Sequence, residues 1–293
     1  MNNIRKPAVA GQFYDTKKEK LINTIENCFK DKRGTGKIPN VKEGKKDIKG
    51  IVVPHAGFIF SGAIAAHAFK EIAENGFADT FIILGPNHTG MGSGVSIMKK
   101  GTWQTPIGEI KINEKLANKI HTGIIDEDIT AHKREHSIEV QLPFLQYLAK
   151  NKEINFVPIT MAMQDKITNK EVGKIISEVI KNSHEKIVII ASSDFSHVGF
   201  NYMTMPPAGT TVDKYAETQD KKAIEKILEL DPDKLVETVE KENISMCGYG
   251  PVSVMLHASK ILSAKKGELL KYGNSYEVHP SSSCVGYGAI SVY

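Results

Sequence analysis

Three short apolar runs punctuate the chain: GIVVPHAG from residue 50, TFIILGPNHTG from residue 80 and KIVIIASSDFSH from residue 186. Each ends in a polar loop that carries a histidine. Runs of this length, bounded by Gly and Pro, read as buried strands. INFVPIT, from residue 154, has the same character without the histidine. Between these runs lie stretches with apolar residues at helical spacing. Asp15 is placed to cap a helix through residue 30, with Leu21, Ile22, Ile25, Cys28 and Phe29 on one face. A small-residue helix is predicted over about 61–74. A short one over about 113–122 is closed by Gly123, and one capped by Thr168 and Glu171 runs to about 182. Residues 95–112 read as a β-hairpin or ribbon with Trp103 near the bend. Residues 132–150 read as a loop entering a helix that holds Pro143 in its first turn or bends there. Helices follow from Asp213 to Leu230, from Asp233 to Glu242 and after Cys247, with Pro251 near the last one's first turn. Two strands, about 268–278 and 284–292, end the chain. Strands alternating with helices predict an α/β fold: one layered domain over residues 1–293, with a central mixed, largely parallel sheet flanked by helices.

Composition leaves that picture intact. The chain has 293 residues, of which 41% are hydrophobic and 25% charged, so a large core is available. No run of about 18 apolar residues is present, so no membrane span is expected. The opening MNNIRKPAVAGQFY lacks the apolar centre of a secretory leader, so a cytoplasmic protein is expected. The net charge is +4, but residues 30–49 hold eight Lys or Arg against three acidic residues, a local net of +5. The basic character is one solvated loop with no aromatic residues interleaved, which argues against nucleic-acid binding.

The candidate chemistry sits where the strands end. Ligands of open α/β sheets bind outside the carboxyl ends of strands, and His55, His88 and His197 all occupy that position. Imidazole is the commonest metal ligand and titrates near neutrality. Two of the three could hold a metal while the third moves protons, and sequence order does not decide which. Cys247, in SMCGYGP, precedes a helix, where a thiolate is favoured. It is a candidate ligand or nucleophile. Cys28 lies on an apolar helical face and Cys284 at the start of a buried strand, and both read as structural. Three cysteines without a leader do not suggest a disulfide framework. EHSIE places Glu135, His136 and Glu139 near a helix start, as outer partners or substrate contacts. His132 carries no signal, and the TMAMQ methionines read as core. Neither HExxH nor a phosphate-cradling glycine motif is present.

RKPAVAGQFY, VPHAGFIFSG, ILGPNHTGMG, TPIGEI, EHSIEVQLPFL, SSDFSHVG, MCGYGPV and SCVGYGAISVY together resemble, in order and over almost the whole chain, the Memo family. Its bacterial and archaeal members are protein B of the AmmeMemoRadiSam system. The resemblance implies a fold similar to the class III extradiol dioxygenases, which use non-haem iron. It implies as partners an AMMECR-type protein and a radical-SAM protein, and a eukaryotic member is described as a mediator of cell motility. By the same resemblance His55, His88 and Cys247 match a proposed metal trio, and His197 looks like the acid/base of the related dioxygenases. Asp194 and His136 match further pocket positions, with Asp194 placed to orient His197. Where those enzymes use two histidines and a carboxylate, a cysteine stands here. A thiolate suits copper(I), zinc or iron of altered potential.

Three functions follow as expectations. The first is a metal-binding, redox-related protein using iron or copper, with zinc a third candidate, acting on a small organic molecule. The second is a non-catalytic module that recognises a peptide or partner protein through the same pocket. The third is a metal-free enzyme with Cys247 as nucleophile and a histidine base.

Overall fold

A computed structural model describes residues 4–150 and 152–293. The first three residues, which open the stretch read as lacking a leader, lie outside the described residues, as does residue 151. In chain order the elements are β1 (Ile4–Arg5), α1 (Lys18–Lys30), β2 (Gly50–Val53), α2 (Phe58–Glu74), β3 (Thr80–Pro86), β4 (Val95–Ile97), β5 (Thr102–Gln104) and β6 (Glu109–Ile112). They continue with α3 (Glu114–Ile120), β7 (Asp126–Glu127), α4 (Leu142–Ala149), β8 (Asn155–Met161), α5 (Lys166–Lys181), β9 (Ile187–Ser192) and β10 (His197–Gly199). The last are α6 (Val212–Leu228), α7 (Pro232–Lys241), α8 (Tyr249–Ile261), β11 (Gly267–Asn274) and β12 (Ser283–Val292).

The strands form one mixed sheet in the order β1-β5-β6-β8-β3-β9-β2-β12-β10, with β11 beside β12 and β4 and β7 beside β8. Its centre, β6-β8-β3-β9-β2, is parallel throughout. Towards one end β10, β11 and β2 pair antiparallel with β12, near the other β5 pairs so with β6, and β4 lies antiparallel along the end of the central β8. This explains the unbroken apolar runs: every residue of β2, β3 and β9 is buried, because helices cover both faces of a parallel centre. One helical layer is α8 on β2, β3 and β9, backed by α5 and flanked by α3 and α7. The other is α2 on β2, β11 and β12, with α1 and α4 against it. The alanines of α2 bring its backbone close to the sheet, and Phe69 stacks on Phe144 of α4 at 4.6 Å between ring centroids.

Several local expectations are corrected. Asp15 does not cap α1, whose N-cap is Lys17; its carboxylate instead accepts from the Thr24 hydroxyl. The cap of α5 is Asp165, which accepts from the backbone of Ile167 and Thr168, and a cap one turn earlier than Thr168 starts the helix at residue 166. The 95–112 stretch contains the expected hairpin over only part of its length. β5 and β6 make a hairpin with Trp103 inside β5, whereas β4 leaves to pair with β8. Met161 is core as expected, but Met163 is exposed. His132 is fully buried: its Nδ1 pairs with the Thr160 hydroxyl and its ring meets Trp103 edge-on.

The N-terminal segment is tied down from the other side of the chain. Glu139, wholly buried, pairs with Arg5 and accepts from the backbone N–H groups of Ala8 and Val9 and from the Tyr14 hydroxyl. Arg5 also donates to the carbonyls of His132 and Glu135 and lies over the Trp103 ring. A buried ion pair survives only when its remaining donors and acceptors are satisfied, and here they are. The arrangement fixes the 132–139 loop, from which Glu135 reaches the site.

Candidate metal centre

β3, β9 and β2 are neighbours and parallel, so their carboxyl ends open on the same edge. Two residues beyond each end stand His88, Asp194 and His55. The pattern read from the sequence is therefore geometric, with Asp194 rather than His197 as the group that follows β9. Cys247 arrives from another direction, just before α8 on the helical layer beneath. Gly248 rests on the end of β9, where a Cβ would come 2.5 Å from the Ser192 carbonyl oxygen, so only glycine lets the cysteine loop settle there. Gln164 clamps that loop, donating to the Cys247 carbonyl at 3.0 Å and accepting from Gly250 N–H at 2.7 Å.

His55, His88 and Cys247 each offer a ligand atom, all within 4.8 Å of one another. The Cys247 Sγ lies 3.2 Å from His55 Nε2. Proton bookkeeping decides which imidazole nitrogens are bare. The Ser192 hydroxyl has one hydrogen, committed to the Ser137 carbonyl at 2.7 Å. The Gln141 amide donates to the Ser192 oxygen at 2.9 Å. His55 Nδ1, 2.9 Å from that oxygen, must therefore donate, which leaves Nε2 with its lone pair free. At His88 the Nδ1 faces Glu135 Oε1 at 2.9 Å and must donate to a carboxylate, so in the neutral ring the lone pair is on Nε2. His55 thus turns a bare nitrogen to the thiol and anchors the other, and His88 is anchored at Nδ1 on a carboxylate, the arrangement in which a metal-binding histidine is held.

Glu135 also accepts from the backbone N–H groups of His88, His136 and Ser137. Burial alone would raise its carboxyl. The hydrogen bond and charge of His88, the charge of His136 and the Ser137 N–H outweigh burial and bring it down to about 2. His88, Glu135 and His136 also lie close enough to hold an ion, but the Glu135 Oε1 already accepts three N–H groups. Its place is behind His88. Glu135→Gln is expected to weaken metal affinity about 10- to 100-fold while leaving the fold intact, measurable by competition with a chromophoric chelator.

Burial pushes His55 well below the usual imidazole range, and His88, His136 and His197 add to it, so this ring is neutral and available as a ligand. The thiol contradicts the expectation drawn from its helix-start position. Burial, then the Asp194 charge, pushes Cys247 far up, and these outweigh the opposing hydrogen bonds. Its Sγ contacts are His55 Nε2 and the Asp194 carbonyl at 3.6 Å. Without a cation the cysteine stays protonated; a metal supplies the positive charge a thiolate needs here.

His197 opens β10 rather than lying in a loop. Its Nδ1 donates to the Ser245 carbonyl at 2.9 Å, which frees Nε2. Asp194, expected to orient it, makes no hydrogen bond to it among the described residues, although His197 is first among the charges that oppose the rise burial imposes on the Asp194 carboxyl. The Asp194 Oδ1 accepts from His55 N–H at 2.8 Å, and Oδ2 stands 3.9 Å from His55 Nε2, so this carboxylate serves the His55 side. His136 stacks on His88 at 4.7 Å and meets Phe13 edge-on. All six predicted residues thus converge: five line a cavity of about 500 Å³, and Cys247 stands behind it against His55. Ser192, Gln141, Ser245, Phe13 and Tyr202 escaped the sequence reading. Gln141 alone carried a signal, a polar residue inside the apolar VQLPFL run.

Behind His197, the buried Asp220 of α6 accepts from Ser196 N–H and from the Tyr272 hydroxyl, each at 2.8 Å. Burial pushes its carboxyl from 3.8 up to about 6, against those hydrogen bonds. In that window the folded chain holds a proton the unfolded chain has lost. This contribution is full below about pH 4 and lost as pH rises through 6, a loss of about 3 kcal/mol. Asp220→Asn is expected to flatten that fall, measured by urea unfolding on either side of the window.

Among the described residues no helix is long and apolar enough to cross a membrane. The family model described as Memo-like protein matches residues 5–291. A MEMO1 family protein of Methanopyrus kandleri is 45% identical over 289 residues, covering 98% of both chains. One of Methanothermobacter thermautotrophicus is 42% identical over 291 residues, covering 98% of this chain and all of that one. One of Methanococcus maripaludis is 44% identical over 294 residues. Among solved structures, an uncharacterized protein of Escherichia coli K12 superposes with a TM-score of 0.49 at 10% identity over 83% of this chain and 99% of that one, a likeness that says nothing of function. Matched along nearly its whole length by model and relatives alike, the chain belongs to the Memo family.

Proposed function

We propose that the protein binds one transition-metal ion, iron or copper, through His55 Nε2, His88 Nε2 and Cys247 Sγ, and works on a small organic molecule in the adjoining pocket. The observation that carries this reading is a His55 ring whose hydrogen bonds leave Nε2 bare 3.2 Å from the Cys247 sulfur, with a His88 nitrogen within 4.8 Å of both and its Nδ1 anchored on Glu135. Two imidazoles and a thiolate suit copper, zinc and iron, and leave coordination positions open. The bound ion supplies Lewis acidity and, as iron or copper, one-electron chemistry. The chain's own residues do the rest. His55 and His88 hold the ion, and Ser192 and Glu135 fix their tautomers. Asp194 keeps the His55 backbone in place and brings a carboxylate beside it. His197, its Nε2 free and its ring edge-on to Tyr202, is positioned to take or give a proton. Metal analysis of protein purified without oxygen tests the reading. About one equivalent of iron or copper is expected, and no bound iron, copper or zinc contradicts it.

A metal-free cysteine nucleophile is disfavoured, because the thiol's pKa is raised rather than lowered. Iodoacetamide labelling of Cys247 in metal-free protein at neutral pH is expected to be slow; rapid labelling that chelators leave unchanged would restore that reading.

A further inference from the structure

A second cavity, of about 500 Å³, lies between the N-terminal segment 4–8 and the turn 129–134. The loop that starts at His132 serves both cavities: it gives Lys133 and Arg134 to this one and His136 to the metal pocket. The walls are preformed. Arg5, only 7% exposed, reaches across to the carbonyls of His132 and Glu135, and Glu139 accepts from both Arg5 and the Ala8 N–H. Ile4, Met98 and Ile129 are among the apolar side chains that line the space. Four cations line it as well, Arg5, Lys6, Lys133 and Arg134, and among the described lining residues there is no Asp or Glu. The MNN ahead of Ile4 carries no carboxylate either. Glu139 neutralises Arg5. Asp128, at the start of the turn, is held by the N–H groups of Ser93 and Thr130. The other three cations are exposed. The Lys6 ammonium donates to the Gln104 amide oxygen at 2.9 Å, and no carboxylate among the described residues pairs with Lys6, Lys133 or Arg134. His132 adds no charge: burial, then the neighbouring Arg5, push its imidazole down to about 3, and its ring is sealed from a ligand. A cleft lined by one sign of charge concentrates the opposite ion, and unpaired Lys and Arg heads match phosphate and carboxylate oxygens.

We infer that this second cavity binds an organic anion: a phosphate or carboxylate group held by Lys6, Lys133 and Arg134, carried on a compact apolar body that covers Ile4, Met98 and Ile129. The apolar lining decides against a bare inorganic ion, which would leave that surface wet. Because Arg5 and Glu139 already pin the two walls together, little ordering opposes binding. No bound metal is needed for it.

Ligand-observed NMR titration of the full chain in low salt tests this with phenyl phosphate, benzoate and benzyl alcohol, with inorganic phosphate read by competition. One of the two aryl anions is expected to bind at least ~10-fold more tightly than benzyl alcohol or inorganic phosphate, and the tighter of the two identifies the head group. Lys133→Gln with Arg134→Gln, checked for an unchanged melting temperature, weakens that binding ~10-fold or more. Lys42→Gln with Lys45→Gln removes the same charge from exposed positions of the basic 30–49 loop and is expected to change it less than about twofold. Lys6→Gln reports from the opposite wall should the Lys133 and Arg134 variant fail to fold. The absence of binding by either aryl anion at millimolar concentration overturns the inference, as does inorganic phosphate binding as tightly as phenyl phosphate. Binding that survives replacement of Lys133 and Arg134 overturns it too, because the anion then sits elsewhere. An equal loss in the two double variants does the same, because net charge alone then accounts for the affinity.

Discussion

Cys247→Ser is expected to abolish stable metal binding while the protein stays folded. The hydroxyl is nearly isosteric with the thiol but is not a soft ligand and does not ionise in reach of neutral pH. What remains is two imidazoles, too few to hold copper or iron against a competing chelator. The loss should exceed the ~10- to 100-fold that removal of an outer partner such as Glu135 costs. The fold is spared because Gly248 and Gln164, not the sulfur, seat the loop. Chelator competition and thermal melting on the same samples separate the two effects. A variant that retains wild-type affinity would remove Cys247 from the ligand set.

The second large effect lies away from the ligands. Glu139→Ala leaves the Arg5 guanidinium buried without its carboxylate and removes the acceptor for two backbone N–H groups and the Tyr14 hydroxyl. Breaking a buried pair from one side costs about 3–5 kcal/mol, a large share of the stability of an ordinary domain. The damage also spreads to the site. Arg5 holds the Glu135 backbone, and the 8–14 segment carries Phe13, a wall of the pocket. Urea unfolding should show the loss. The double variant Arg5→Met with Glu139→Met is expected to recover the part due to the unpaired charge and no more, because the Ala8 and Val9 N–H groups and the Tyr14 hydroxyl still lack their acceptor. Additive costs in the double variant would show that the ion pair is not what holds the segment.

The fold class was legible because the parallel centre of the sheet needs apolar runs buried on both faces, and GIVV, TFIIL and KIVII are such runs. Element ends were less legible. Asp15 and Thr168 both looked like caps, but α1 starts after Lys17 with no side-chain cap at all, and at α5 it is Asp165, one turn before Thr168, that meets the free N–H groups. The ligand candidates His55 and His88 showed themselves by standing just beyond strands. Cys247 had only its loop, and it was the family resemblance that brought it into the set. The sign of its thiol shift could not be read at all: a helix start favours the thiolate, whereas burial and Asp194, distant in sequence, oppose it more strongly. The same holds for Asp194 itself. Three residues from His197, it reads as that histidine's partner, yet the turn after β9 aims it at His55 and leaves His197 to a carbonyl from the Cys247 loop.

The most direct measurement is anomalous scattering from crystals of anaerobically prepared, metal-loaded protein, collected on either side of the iron and copper absorption edges. The account predicts one peak, bounded by His55 Nε2, His88 Nε2 and Cys247 Sγ. A peak held instead by His88, Glu135 and His136, or no peak between the two Nε2 atoms and the sulfur, would contradict it.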